Sequence, residues 1–296
     1  MVQRPDAILI AGPTASGKSK LAIEEALRLD GEIVNTDSMQ IYPVLDILTA
    51  RPDADDLKQV PHNLYGFAEL GAPYSVARYL RDAQQMAKDI WQRDRIPVFV
   101  GGTGLYFRGL LDGLAETPEI PTDLRAQIRS DLEKYGSELM YEKLAELDPR
   151  GAANLRPGDS HRISRALEVI SATGKPLSHF QNLPHSKPIL DGKSVQKTVL
   201  MPQRSVLHER INLRADWMIE NGATEEVKAL LALELPSEST VLKAIGVSQL
   251  GSHLHGKLSL NEAREQIKAA TRQYAKRQST WFNGQFDQTW QFREVV

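Results

Sequence analysis

Short apolar runs alternate with helical patterns along the first third of the chain. Ala7 to Ala11 and Ile96 to Val100 are uninterrupted apolar runs, which is typical of strands buried on both faces of a parallel sheet. Glu32 to Asn35 predicts a further strand. Lys18 to Leu29 and the longer segment from Ser75 to Arg93 repeat apolar residues at the helical spacing. Strands that alternate with helices predict an α/β fold, with a parallel sheet core flanked by helices.

The pattern becomes purely helical between Pro121 and about Lys175. Prolines in residues 116–121 and 182–193 mark these two flanking segments as connectors. Residues 194–201 predict a return to the sheet, after which helical patterns dominate. We therefore predict a helical domain inserted into the α/β core. The predicted bounds are 1–117 and 194–296 for the core and 118–193 for the inserted all-helical domain.

Composition removes several classes of site. The 296-residue chain has no cysteine, which excludes disulfides, thiolate nucleophiles and Cys-ligated zinc. No apolar run approaches the roughly 20 residues that span a bilayer, and the first residues lack the apolar segment of a signal peptide. We therefore expect a cytoplasmic protein with no membrane partner. The net charge of −2 does not favour nucleic-acid binding, so any such role must depend on local clusters of positive charge.

A phosphate-binding motif follows the first predicted strand. Residues 12–19, GPTASGKS, fit G-x-x-x-x-G-K-[ST] between a strand and a helix, which is the context that this motif requires. Gly12 and Gly17 allow the backbone to curl so that its N–H groups point at an anion. Lys18 can neutralise phosphate oxygens, and the hydroxyl of Ser19 can ligate Mg²⁺, the expected cofactor. The motif predicts a P-loop-type sheet that binds a di- or triphosphate, without indicating which one.

Asp37 is the acid that directly follows the second predicted strand. It could hold Mg²⁺, as an Asp at a strand end does in most P-loop NTPases. It could instead be a general base facing an acceptor, or it could simply form an Asx turn or helix N-cap with Ser38. The third strand ends in residues 101–104, GGTG, where a kinase would be expected to carry its Asp. The residues alone leave all three interpretations open.

Local positive charge lies on two predicted helices. In the first, Ser160 is the expected N-cap, and Arg162 and Arg165 lie three residues apart. The second begins with a capping box from Ser259 to Glu262. Its basic residues recur every four positions, at Arg264, Lys268, Arg272 and Lys276. Each row could contact RNA phosphates or be a solvated face balanced by acids, and the pattern does not decide between them.

Several segments together resemble one family. They are GPTASGKS (12–19), TDSMQIY (36–42), VGGTGLYFRGLL (100–111), HRISRALEV (161–169), HERINLRADWM (208–218) and TRQYAKRQSTWF (271–282). In this order they resemble the tRNA dimethylallyltransferase family, also called tRNA isopentenyltransferase. Related adenylate isopentenyltransferases share the first motifs but use free nucleotides, so the later motifs favour the tRNA branch.

The resemblance implies an activity and a set of site residues. The activity is transfer of a dimethylallyl group from dimethylallyl diphosphate to N6 of the adenine 3′-adjacent to the anticodon in tRNA, with release of diphosphate. The implied catalytic residues are Asp37 as general base, Thr14, Lys18 and Arg214. The implied donor site comprises Gly12, Thr14, Ala15, Ser16, Gly17, Lys18, Ser19, Arg210 and Arg214. The implied tRNA contacts are Asp37, Ser38, Met39, Gln40, Thr103, Arg125, His161, Arg162, Ile163, Ser164, Arg165, Lys243, Gly246 and Gln249. The implied partner is the anticodon stem-loop of tRNA, and we expect a monomer.

The chain departs from the family pattern at three positions. Val44 and Leu48 stand where the family usually has glycine, and Val247 stands where it usually has tyrosine. None of these changes affects the phosphate motif or Asp37, so we expect them to alter the fit of the RNA rather than the reaction. The alternative functions are an ATP-dependent small-molecule kinase, an adenylate isopentenyltransferase and a non-catalytic RNA-binding protein.

Overall fold

The computed structural model describes residues 4–294. The chain forms two compact units, one made of Met1–Leu111 and Ile189–Val296 and the other of Asp112–Pro188. The predicted bounds of the insertion were 118 and 193, so the second unit begins and ends earlier than the connectors suggested. Its two ends pair with each other, since Ser186 N–H donates to the Leu114 carbonyl at 2.9 Å.

Six parallel strands form the sheet of the first unit, in the spatial order β3-β2-β4-β1-β5-β6. They are β1 Ala7–Ala11, β2 Gly31–Asn35, β3 His62–Asn63, β4 Ile96–Gly101, β5 Val195–Leu200 and β6 Gln291–Arg293. β1, β2 and β4 are buried along their whole length, as the apolar runs of β1 and β4 predicted. The parallel-sheet α/β fold is therefore confirmed. The short edge strands β3 and β6 were not predicted, because neither has an apolar run.

Both units contain α-helices. They are α1 Lys18–Leu29, α2 Ala54–Gln59, α3 Val76–Gln92, α4 Gly104–Asp112, α5 Thr122–Leu147, α6 Pro149–Ala152, α7 Ser160–Thr173, α8 Leu177–Gln181, α9 Arg204–Glu220, α10 Ala223–Leu231, α11 Val247–Leu254 and α12 Leu260–Gln285. A short 3₁₀ helix spans Thr240–Lys243. None of these helices, within residues 4–294, combines the length and apolar character needed to cross a bilayer.

The long helices α9 and α12 pack antiparallel beside the sheet. Arg272 donates to Asn212 Oδ1 at 2.7 Å, and one turn further along both helices Lys268 contacts Asp216 at 2.8 Å. The predicted capping box at the start of α12 is confirmed, since Ser259 N–H donates to Glu262 at 2.8 Å. These two helices extend from the sheet to a second hydrophobic core, which we call the helical core. Its members include Ile41, Leu45, Met218, Val227, Leu250 and Ile267.

The second unit, Asp112–Pro188, has a core of its own between α5 and α7. Ile163 and Leu167 of α7 are fully buried there, whereas Ile170 is only half-buried. The predicted N-cap is wrong by one residue. Asp159, and not Ser160, caps α7, because its carboxylate accepts the N–H of Arg162 at 3.4 Å.

Candidate active site

The phosphate motif forms the loop between β1 and α1. Ser16 N–H donates to the Pro13 carbonyl at 3.2 Å, and Lys18 Nζ donates to the same carbonyl at 3.3 Å. The Ser16 side chain is fully buried behind Gly12. The Ser19 side chain, in contrast, is exposed at the first turn of α1. The loop therefore presents backbone N–H groups, one amine and one hydroxyl at the N-terminus of a helix.

Thr14 connects this loop to α9 and α12. Its hydroxyl accepts a hydrogen bond from the Arg214 guanidinium, and its N–H donates to Gln278 Oε1 at 2.9 Å. The same Gln278 amide donates from Nε2 to the Gly102 carbonyl at 2.9 Å. Gln278 is buried and joins the loops that follow β1 and β4, although it was not among the predicted site residues. Its place in the TRQYAKRQSTWF segment was the signal that could have identified it.

Asp37 lies just beyond β2, beside the phosphate loop. One carboxylate oxygen, Oδ1, accepts the N–H of Met39 at 2.9 Å, which makes an Asx turn. The turn interpretation is therefore correct for this oxygen. The other oxygen, Oδ2, faces Gly102, where an added Cβ would lie 3.4 Å away. Asp37 thus orders the local backbone with one oxygen while the other faces the neighbouring loop.

The close approach between these loops depends on two glycines at the end of β4. A Cβ on Gly101 would lie 2.0 Å from the carbonyl oxygen of Thr36, and one on Gly102 would lie 2.2 Å from Gln278 Nε2. A larger residue at position 101 would therefore push the β2 and β4 loops apart, and one at position 102 would displace Gln278. Thr103, directly after them, accepts the Ser38 N–H at 3.0 Å. The GGT sequence thus fixes Asp37 at the carboxyl edge of the sheet, where open α/β folds bind ligands.

The charged groups here influence one another. Burial lowers the pKa of Lys18 to about 8, against the attraction of Asp37 and with the help of the Arg214 charge. Burial also lowers the pKa of Arg214, and Asp37 opposes that change. Burial raises the pKa of the Tyr274 hydroxyl, and the negative charge of Asp37 adds to the increase. Two cations and one carboxylate therefore share a poorly solvated space in which charges interact strongly.

A cavity of about 300 Å³ opens beside these groups, entirely within the first unit. Thr14, Asp37 and Arg214 line it at the phosphate loop. Ser38, Met39 and Lys243, which were selected as tRNA contacts, also line it. Further apolar and polar side chains come from α9 and α12, namely Ile211, Ala215, Met218, Ile267, Thr271, Tyr274 and Arg277. The cavity therefore brings phosphate-binding groups, a carboxylate and apolar surface together.

Other selected residues of the first unit lie outside this cavity. Gln40 uses its amide to donate to the carbonyls of Thr49 and Ala50, both at 2.9 Å. Gln249 accepts the Gly246 N–H at 3.0 Å and so caps its own helix. Their side chains stabilise the local backbone. Arg210 has its guanidinium near the phosphate loop, 3.9 Å from the position of a Cβ on Gly17.

In the second unit, the selected residues of α7 fall into two groups. His161 and Arg162 are exposed, and Arg162 approaches Asp159 only to 4.0 Å. Arg165 donates to Thr117 Oγ1 at 2.8 Å and to the buried Glu168 at 3.3 Å. Arg125 on α5 lies 4.0 Å from the same carboxylate. Glu168 therefore balances two of the arginines, while Arg162 faces solvent.

The selection of Ile163 and Ser164 as tRNA contacts is corrected by their burial. Ile163 has no exposed surface and packs in the core between α5 and α7. Ser164 is only 8% exposed. A helix turns through 100° per residue, so a continuous five-residue segment cannot present every side chain to one ligand. The two arginines and His161 are the side chains of this segment that remain at least partly accessible.

Acidic side chains lie close to part of the basic row on α12. Arg264 and Lys268 lie 3.6 and 2.8 Å from Asp216 of α9. Acids therefore balance the first half of the row as expected, but its side chains are partly buried rather than solvated. Arg272 and Lys276, in the second half, line a separate surface cavity with Arg204 and His208.

A family model described as IPP transferase matches residues 40–285 of the chain. Among curated relatives, the tRNA dimethylallyltransferase of Rhizobium johnstonii is 50% identical over 287 residues, covering 97% of this chain and 96% of the relative. The protein of the same name from Agrobacterium fabrum is 48% identical over 289 residues, with 97% and 96% covered. The similarity thus extends over nearly the whole chain.

Solved structures agree with the sequence comparisons. The full-length tRNA isopentenylpyrophosphate transferase from Bacillus halodurans is 33% identical, with a TM-score of 0.69, and the match covers 98% of this chain and 90% of that one. A eukaryotic dimethylallyltransferase crystallised while acting on tRNA is 30% identical, with a TM-score of 0.77 and coverage of 93% and 69%. Both the sheet and the helices around it are therefore shared with these proteins.

Proposed function

The chain belongs to the IPP transferase family, and from this premise we propose that it is a tRNA dimethylallyltransferase. The reaction moves the dimethylallyl group of dimethylallyl diphosphate to N6 of an adenine in tRNA and releases diphosphate. The acceptor that we propose is the adenine 3′-adjacent to the anticodon, presented by the anticodon stem-loop. A monomeric enzyme acting in the cytoplasm remains our prediction.

One observation carries the proposal. Asp37 lies in the same cavity as Thr14 and Arg214, and its charge acts directly on Lys18 of the phosphate loop. A prenyl transfer requires an anion site and a proton acceptor on opposite sides of one reacting carbon. The cavity offers both, together with apolar surface for a hydrocarbon. A binding protein without catalysis would not need a carboxylate close to the phosphate site.

The bond changes can be assigned to residues of this site. The bond from C1 of the allyl group to the diphosphate oxygen breaks, and a bond from C1 to the adenine N6 forms. Negative charge grows on the leaving diphosphate, where Lys18, Arg214 and the loop N–H groups stabilise it. Thr14 orients Arg214 through its hydrogen bond. The proton released from N6 passes to Asp37, and such transfers typically contribute about 10²–10⁴-fold.

The donor set of the phosphate loop suits Mg²⁺, which we propose as the metal. Within residues 4–294, no group of three or more His, Cys, Asp or Glu side chains could hold a metal by itself. Ser19 offers one exposed hydroxyl, so diphosphate oxygens and water would complete the ligands, an arrangement that Mg²⁺ commonly accepts. When bound, the ion would neutralise charge on the diphosphate.

RNA binding is assigned to exposed cations near each unit's surface. We propose that Lys243 at the cavity and His161 and Arg162 of the second unit contact the tRNA. Arg125 and Arg165 would contribute from their positions around Glu168. The target adenine is stacked in an anticodon loop, so it must be extruded to reach Asp37, at a cost of a few kcal/mol. Distributed phosphate contacts would offset this cost.

The test incubates the protein with Mg²⁺, dimethylallyl diphosphate labelled in its prenyl group, and tRNA that lacks the modification. We expect label in tRNA, attached to N6 of one adenine after nuclease digestion. Parallel reactions contain adenosine monophosphate as acceptor or ATP as donor. Transfer to the free nucleotide alone would identify an adenylate isopentenyltransferase, and phosphate transfer or ATP hydrolysis without prenylation would identify a kinase.

A further inference from the structure

The cavity has a polar end and an apolar end, which the antiparallel pair α9 and α12 connects. At the polar end, Arg214 of α9 contacts Thr14, and Gln278 of α12 does the same. Met218 lines the cavity one turn along α9 from Arg214, and Ile267 lines it about three turns back along α12 from Gln278. Both belong to the helical core, so this end is backed by packed hydrocarbon. A chain attached to a diphosphate at the polar end would extend toward it.

The loop before α2 contributes one wall of the apolar end. Its backbone is fixed by Glu226 at the start of α10. The two carboxylate oxygens of Glu226 accept the N–H groups of Asp46 at 2.5 Å, Ile47 at 2.8 Å and Leu48 at 2.9 Å. Charge-assisted bonds to backbone are among the stronger hydrogen bonds in proteins. Three of them to one side chain hold this loop in a single conformation.

Leu48 lines the cavity from this loop, and its other side rests on Gly246. A Cβ on Gly246 would lie 2.6 Å from Leu48 Cδ2, so only glycine leaves room for the leucine. Gly246 also has φ of +105°, which favours glycine independently. Val44 and Val247 pack in the same helical core. The three positions where the chain departs from its family pattern therefore lie together, with Leu48 at the cavity surface.

We propose that Leu48, held in place by Glu226, limits the length of the prenyl chain that the donor site accepts. The inference rests on the proposed function and deepens it, because it names a residue that selects among allyl diphosphates. On this proposal a five-carbon chain fits between the phosphate loop and Leu48, whereas the longer ten-carbon chain meets the leucine that lines the cavity. Chemistry at C1 is the same for both donors: the C1–O bond breaks, the C1–N6 bond forms, and the N6 proton goes to Asp37. Selection therefore depends on space alone.

Met218 is another residue at this end that could close it. Methionine is unbranched and flexible, so it can move aside for a longer ligand. Leu48 is branched and carried by a loop with three backbone hydrogen bonds to Glu226, and Gly246 supports it from behind. A side chain that limits the length of the bound prenyl chain must resist displacement by a longer chain. The rigid position is Leu48.

The experiment compares dimethylallyl diphosphate with geranyl diphosphate, its ten-carbon homologue, as donors to unmodified tRNA. Products are identified by mass spectrometry of nucleosides, and kcat/KM is measured for each donor. We expect Leu48→Ala to raise the ratio of ten-carbon to five-carbon kcat/KM at least about tenfold, since one methylene in an apolar pocket is worth about 10–200-fold. Leu48→Val should give a smaller change in the same direction. Glu226→Gln should relax selection partially, which marks it as a positioning residue.

Leu235→Ala is the matched control, because Leu235 packs against the helical core without lining the cavity. Its donor ratio should equal that of the wild type. An unchanged ratio in both Leu48 variants would overturn the proposal, whether five-carbon activity persists or falls. If geranyl diphosphate binds without reacting, its inhibition constant against the five-carbon donor replaces the ratio. A lower constant in Leu48→Ala than in the wild type is expected, and an equal one would overturn the proposal. Failure of the wild type to transfer the five-carbon group would instead refute the proposed function.

Discussion

The charges around the phosphate loop and those along α7 show two different uses of ionic side chains. Lys18 and Arg214 lie in a poorly solvated space beside Asp37, and burial lowers the pKa of both cations. Arg162 on α7 has 70% of its side chain exposed and its nearest acid 4.0 Å away. Charges in the first setting interact strongly and are little affected by salt, whereas exposed pairs contribute about 0–1 kcal/mol and are screened.

This difference indicates where substitutions should affect chemistry and where they should affect encounter with RNA. Burying a cation costs free energy, which a bound anion can offset. In this site the diphosphate would be that anion. An exposed cation loses little by facing water and can meet a mobile phosphate backbone. The following predictions test this distinction in order of decreasing effect.

Asp37→Asn should have the largest effect. The amide oxygen can still accept the Met39 N–H and keep the turn, but the side chain can no longer take a proton from N6. We expect the single-turnover rate of prenyl transfer to fall by about 10²–10⁴-fold, with the affinity for tRNA within about twofold of wild type. Asp94→Asn, at a fully exposed aspartate, is the control and should leave the rate unchanged. A rate for Asp37→Asn above a tenth of wild type would exclude the base role.

The lowered pKa of Lys18 predicts a pH dependence with a definite sign. Its protonated form binds diphosphate, and the free enzyme loses that proton as pH rises through about 8. We expect kcat/KM for dimethylallyl diphosphate to be level below that pH and to fall above it, approaching about tenfold per pH unit. Initial rates or pre-steady-state rates at about pH 6 to 10 measure this decline in kcat/KM. The decline should have its midpoint at about pH 8.

Arginine stays charged over this range, so Lys18→Arg should abolish the decline even if its overall activity is lower. Lys20→Arg, two residues away and exposed, should keep it. If the decline persisted in Lys18→Arg, another group would be responsible for it.

Gln278→Ala tests the uncharged part of the same region. The substitution removes the partners of Thr14 N–H and the Gly102 carbonyl, both near the cavity. Leaving buried polar groups unsatisfied costs about 1–3 kcal/mol, so thermal unfolding should occur at a lower temperature. Because the loops after β1 and β4 lose their connection, we also expect kcat/KM to fall by about tenfold. Gln273→Ala, exposed on the same helix, should change neither quantity.

Local sequence determined much of the fold. β1 and α1 occupy the residues that periodicity predicted, and the box at Ser259 begins α12 as expected. Such features depend on neighbours within one or two turns, which a single sequence displays directly. The N-cap of α7 was assigned to Ser160 because serine and aspartate cap equally well, and only the geometry distinguishes Asp159.

Local sequence patterns predicted less of the candidate site than of the fold. Arg214 meets Thr14, and Gln278 meets both Thr14 and Gly102, across separations of 176 to 264 residues. No periodicity encodes contacts of this range. Arg214 was selected only through a family resemblance, and Glu226 was not selected at all, because a glutamate in the first turn of a helix is common. Ile163 was selected wrongly, because a matched segment does not reveal which of its side chains face the core.

Arg162→Ala should have the smallest effect and should distinguish the exposed cation from its buried counterparts. If Arg162 neutralises one RNA phosphate, its loss should weaken tRNA binding a few-fold and reduce the slope of log affinity against log salt by about one. The rate of transfer from the bound complex should stay the same, in contrast to Asp37→Asn. Binding titrations at several salt concentrations, paired with single-turnover rates at saturating tRNA, measure both quantities. Arg28→Ala, an exposed arginine at the end of α1, should leave the slope unchanged. A wild-type slope in Arg162→Ala would assign that arginine to solvent and leave RNA recognition to other cations.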